Sequence, residues 1–169
     1  MSELALQLIR ENKQKHARGE DASFLDLGNC GLTEVPEEVG ELVWLETLSF
    51  SSEWWDGNKH NITNNTGRLN HIKRLIPFVS ALTKIKILLG GSLKANPFSR
   101  LKNLKKLWLS EPLSDPDGLA PLAGLGSLQW LGVSGTRVTD LFPLVGLGNL
   151  QWLDVSGTRV THLTPRWSG

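Results

Sequence analysis

The stretch LQWLGVSGTRVT, Leu128 to Thr139, returns as LQWLDVSGTRVT from Leu150 to Thr161, with eleven of twelve positions identical and Gly132 against Asp154 as the single difference. A near-copy displaced by 22 residues restricts the folds open to the chain, because a unit repeated at fixed period builds an array in which each unit packs mainly on its neighbours. Placing Leu131 and Leu153 at the anchor of L-x-x-L-x-x-L-x-V-x-x-T-x-V gives further anchors at Leu107, Ile85, Leu48 and Leu25. The intervals, from the N-terminus, are 23, 37, 22, 24 and 22 residues. Leu88 also satisfies the pattern in the third unit. Ile85 is preferred because Gly90 then lies seven residues before Pro97, as Thr136 lies seven before Pro143. Proline marks the same period, with Pro97, Pro121, Pro143 and Pro165 spaced by 24, 22 and 22 residues.

Alternation around each anchor, as in Leu25-Asp26-Leu27 or Leu131-Gly132-Val133, predicts a short strand with one face inward. One such strand buries too little to be stable, so the leucine layers must stack in parallel. The expected fold is an α/β solenoid of about six repeats, with a parallel concave sheet and an N-terminal capping helix. Residues 1–20 are assigned to the cap, in which Ser2 starts the helix and Leu4, Ala5, Leu8 and Ile9 share a face. Residues 21–169 form the repeat domain, with an insertion at about 51–75. The segment LTEVPEEVGEL at 32–42 has room for a helical turn, whereas the proline-bearing returns such as VTDLFPLVGL read as tight turns or short 3₁₀ pieces.

These motifs resemble leucine-rich repeat proteins over residues 22–165. The 22-residue units with DLFPL are similar to the repeats of internalins, and FLDLGNCGLTEVPEEVGEL resembles the leading repeat of bacterial Roco-type proteins. In the latter, such repeats precede a GTPase module. No G-x-x-x-x-G-K-[ST] occurs in this sequence, so the resemblance carries no GTP binding to this chain.

Composition narrows the function classes. The longest apolar runs fall short of the roughly 18 residues that a membrane helix needs, and the N-terminus has only a brief apolar patch between charges, unlike a secretory signal. The single cysteine, Cys30, excludes an internal disulfide and favours a reducing, cytoplasmic setting. It stands where the later repeats carry Thr136 and Thr158, an inward position that serves the turn. The net charge of +1 hides two blocks: ten acids and no Lys or Arg from Gly19 to Asn58, then eleven basic residues and no acid from Lys59 to Ser110. These blocks read either as faces that compensate each other or as a basic surface for an anionic partner.

Counting outward from the anchors, the first concave column is Phe24, Thr47, Lys84, Lys106, Trp130 and Trp152, and the second is Asp26, Ser49, Lys86, Trp108, Gly132 and Asp154. Tryptophans that project away from a leucine core are candidate interface anchors. The expected partner-binding residues are therefore Trp130, Trp152 and Trp108 with Lys84, Lys86, Lys106 and Asp154, joined by Trp54 and Trp55 at the start of the insertion. The alternative for the tryptophans is cross-strand stacking that serves the sheet itself.

No catalytic triad, zincin motif or phosphate loop is present, and His60, His71, Glu53 and Asp56 match no zinc spacing. The expectation is a non-catalytic module without cofactor or metal that binds a protein. The alternatives are a regulatory fragment of a Roco-like GTPase and a binder of an anionic ligand such as nucleic acid or glycan, the nucleic acid being disfavoured by so few lysines. After Pro165 the expected LVGLGNLQWL is replaced by RWSG. That break predicts self-association through an uncapped edge, derivation from a longer array, or Trp167 folded back as a lid.

Overall fold

The computed structural model describes residues 2–55, 59–72, 79, 81–90, 98, 101–109 and 118–161. Its spine is a row of apolar residues three apart in each repeat, ending at the strand centre: Val39-Leu42-Leu45-Leu48, Val79-Leu82-Ile85-Leu88, Phe98-Leu101-Leu104-Leu107 and Leu122-Leu125-Leu128-Leu131, all buried. Three-residue spacing suits a 3₁₀ turn running into a strand, since each third side chain returns to the same side. The turns at Glu37–Glu41, Ala120–Leu122 and Phe142–Leu144 are 3₁₀.

Helix α1 (Glu3–Ala17) opens the fold, with the Ser2 hydroxyl accepting from the Ala5 amide at 3.4 Å. Glu3 in its first turn and Lys15 and His16 in its last complement the helix dipole. Strands β1 (Phe24–Asp26), β2 (Thr47–Ser49), β5 (Ile87–Leu89), β6 (Lys106–Trp108), β7 (Trp130–Gly132) and β8 (Trp152–Asp154) form one parallel sheet in that order, and β3 (Glu53–Trp55) pairs antiparallel with β4 (His60–Ile62). Just before each strand one carbonyl accepts two amides of the next repeat. Ser23 takes Glu46 and Thr47, Glu46 takes Lys86 and Ile87, Lys86 takes Lys105 and Lys106, and Lys105 takes Gln129 and Trp130.

This register corrects the third repeat. Leu88, not Ile85, pairs with Leu48 and Leu107, so the intervals on either side are 40 and 19 residues. Ile85 is the buried residue one step earlier, equivalent to Leu45 and Leu104. Lys84 and Lys86 consequently leave the concave columns, and Ile87 and Leu89 take their places.

The cap is anchored by a polar residue. Asn12, 4% exposed, donates from Nδ2 to the carbonyls of Ala22 and Phe24, both at 3.0 Å, and accepts from Trp44 Nε1 at 2.9 Å. These bonds cover the edge of β1 that β2 does not pair, satisfying groups that otherwise invite another strand. Trp44 in turn stacks on His16, ring centroids 3.8 Å apart.

Over its described residues the insertion is a hairpin followed by an asparagine clasp. Thr63 Oγ1 donates to Asp26 Oδ2 at 2.6 Å, Asn65 Nδ2 donates to the Asp26 and Gly28 carbonyls, and Asn70 Nδ2 bridges the Leu27 and Phe50 carbonyls at 2.8 Å each. Asn70 Oδ1 also accepts from the Leu32 amide. One side chain thus ties the turns after the first and second strands together. Among the described residues no helix is long and apolar enough to cross a membrane. Pro165, Trp167 and the C-terminal RWSG lie outside the described residues, and so does Asp56.

Candidate concave binding groove

The parallel register brings Trp130 directly beside Trp152. Their indoles stack with centroids 5.2 Å apart and planes 27° off parallel. Trp108, two residues along the strand from the Trp130 row, leans across β7 to stack on Trp152 at 6.0 Å and 25°. It does so over Gly132, where a Cβ would stand 2.7 Å from Trp108 Cδ2 and 2.8 Å from Cζ3. Glycine at the one position that differs between the repeated phrases therefore makes room for the third indole. Lys106 completes the stack, its ammonium 4.9 Å from the Trp130 ring centre, a cation–π geometry worth about 0.5–1 kcal/mol at exposed sites.

These rings form one wall of a groove of about 290 Å³. Thr47, Ile87, Leu89 and Leu107 lie along its floor, and Trp54 of the hairpin lines it as well. Trp54 is held there from both sides of the hairpin, by the Thr63–Asp26 bond and by the Ser51 hydroxyl donating to the Glu53 carbonyl at 2.6 Å. The four tryptophans are partly rather than fully exposed, having covered one another while keeping a concave apolar surface.

Asp154 lines the groove, but its Oδ1 accepts from the Ser156 amide at 2.9 Å and hydroxyl at 2.6 Å. Much of its bonding capacity is spent closing its own turn. Trp55 pairs through its backbone with His60, and the disposition of its side chain is outside the described structure. Lys86 sits on the flank where the chain turns into the strands and pairs with Glu46 at 2.8 Å. Lys84 is exposed on the same flank, at the turn position that holds Asn103 and Asn149 in later repeats. Sequence reasoning missed those two asparagines, which donate to Thr83 and Gly126 carbonyls of the preceding repeat at 2.7 Å each.

Among the described residues the groove contains no nucleophile paired with a base. Cys30 is buried, accepts a long 3.9 Å contact from Asn65 Nδ2, and has its thiol pushed up to about 11 by burial and by the nearby Asp26 charge. Thr136 and Thr158, at the matching position, donate to the Val133 and Val155 carbonyls at 2.6 Å.

No protein-family model matches the chain, and no curated protein does. Among solved structures it is similar to an internalin (inlF) of Listeria monocytogenes str. 4b F2365, with a TM-score of 0.56 and 20% identity over 75% of this chain and 32% of that one. It is also similar to internalin C2 (inlC2) of the same organism, with a TM-score of 0.57 and 24% identity over 92% of this chain and 76% of that one. The fold is a leucine-rich repeat solenoid. Its repeats stack as in the internalins, and the chain spans about a third of the length of the first of these structures. Neither structure is a Roco-type protein, so the resemblance of the first leucine-rich repeat to that group finds no support in them.

Proposed function

We propose that this chain is a non-catalytic interaction module that captures a protein partner in the concave tryptophan groove. The observation that carries the reading is the preformed groove itself, in which Trp54, Trp108, Trp130 and Trp152 converge on a floor of Ile87 and Leu89. Clustered aromatics in a concave, largely desolvated site are the usual anchors of protein interfaces, while bulk surface hydrophobicity is not. Trp54 stands on a hairpin held by side-chain hydrogen bonds and the other indoles are stacked on each other, so little ordering entropy is lost on binding. The single cysteine of the sequence supports a reducing, cytoplasmic setting for this activity.

The test is the double variant Trp130→Ala/Trp152→Ala. It should unfold cooperatively and lose at least tenfold in captured partner when affinity capture is quantified by mass spectrometry. Unchanged capture by a folded double variant would remove the groove from the function.

A further inference from the structure

Beside the groove runs a row of lysines that the fold does not use. Lys102 and Lys105 lie in the turn leading into β6, Lys84 lies at the corresponding turn of the preceding repeat, and all three are exposed. Lys105 adjoins Lys106, whose ammonium reaches over Trp130. Among the described residues none of Lys84, Lys102, Lys105 and Lys106 forms an ion pair, whereas Lys86 is neutralised by Glu46. The backbone places Lys86 and Lys105 side by side, since the Lys86 carbonyl accepts from the Lys105 amide at 2.7 Å. The next two repeats carry neutral Gln129 and Gln151 at that position, so the lysine row ends beside Trp130.

The groove holds little. About 290 Å³ is at the small end for a ligand site and takes one or two large side chains rather than a folded surface. Resting on the proposal that the groove binds a protein, we infer that its occupant is an extended peptide segment that inserts an aromatic or branched apolar side chain and lays adjacent Asp or Glu residues along Lys84, Lys102, Lys105 and Lys106. Apolar anchoring supplies the residence time and the lysine row supplies orientation and faster encounter. A basic segment meets the same lysines as repulsion, which gives the groove its discrimination.

A random twelve-residue peptide library selected on the immobilised full chain, with enriched peptides resynthesised and titrated by fluorescence anisotropy, tests this. Enrichment of an aromatic or leucine residue flanked by at least two acids is expected, with binding weakened about tenfold between 50 and 300 mM salt as charge pairing is screened. Lys102→Gln/Lys105→Gln, at exposed positions, should cost these peptides about fivefold and leave a Glu-to-Gln version of the same peptide unaffected. Enrichment of neutral or basic peptides that still depend on Trp130 and Trp152 overturns the acidic class while the groove stands. Peptides bound equally by Trp130→Ala/Trp152→Ala overturn the groove as well. A ten-residue oligothymidine that displaces the acidic peptides at lower concentration than they displace it overturns the peptide assignment in favour of a stacked single strand.

Discussion

The indole of Trp108 occupies the space above Gly132 that a Cβ would need, with Cδ2 only 2.7 Å from where that atom would stand. This contact links the one mismatch in the repeated phrase to the geometry of the groove. Gly132→Ala should force Trp108 off Trp152 and destabilise the fold by about 1–3 kcal/mol through overpacking. Gly124→Ala, where an added Cβ meets nothing within 4 Å, should change stability by less than about 0.5 kcal/mol. Urea denaturation of both variants, with near-ultraviolet circular dichroism as the probe of the indole stack, checks the contrast.

Asn12 should prove indispensable to the cap. Asn12→Leu keeps the side-chain bulk but leaves the Ala22 and Phe24 carbonyls and Trp44 Nε1 without their partner. The expected loss is about 2–3 kcal/mol, the cost of several polar groups left unpaired, partly relieved by water. Hydrogen exchange should show the opening concentrated in α1 and β1.

Asn70→Ala should loosen the clasp between the turns after β1 and β2 and, with it, the hairpin that carries Trp54. A loss of about 1–3 kcal/mol is expected. Peptide affinity should fall although no groove residue has changed, because the Trp54 wall is no longer held in place. Retained affinity would separate the hairpin from the groove.

Cys30 should resist alkylation in the folded chain at pH 8 and react at the ordinary rate once unfolded. Its folded thiol titrates near 11, above the ordinary value of about 8.5, so the folded state holds the proton more tightly. That contribution to stability is complete below pH 8.5 and is lost as pH rises through 11. Comparing denaturation of the wild type and Cys30→Ala across that range reads the difference.

Much of this architecture is legible in the chain, and its gaps have physical causes. The near-copies around Leu131 and Leu153 lead directly to parallel stacking, and the adjacency of Trp130 and Trp152 follows from that register. The third repeat misleads because Val79, Leu82, Ile85 and Leu88 are all buried at three-residue spacing, so two anchors fit equally well. The spacing from Gly90 to Pro97 is the wrong arbiter, since Gly90 directly follows β5 with φ of 77° while Gly135 and Gly157, also at positive φ, stand further past their strands. That slip misplaced Lys84 and Lys86 and concealed Ile87 and Leu89 in the groove floor. Asn12, Asn65 and Asn70 were illegible for another reason: their partners are backbone carbonyls of residues distant in sequence, and no local pattern announces such bonds.

Oxidative footprinting of the complex reads out whether a partner seats on the four groove tryptophans. Trp44, stacked on His16 against the cap, serves as the internal reference. With a captured partner or a selected peptide bound, oxidation of Trp54, Trp108, Trp130 and Trp152 should fall several-fold while Trp44 keeps its free rate. Oxidation of the four at the free rate with the partner bound would place the partner elsewhere and remove the groove from its recognition.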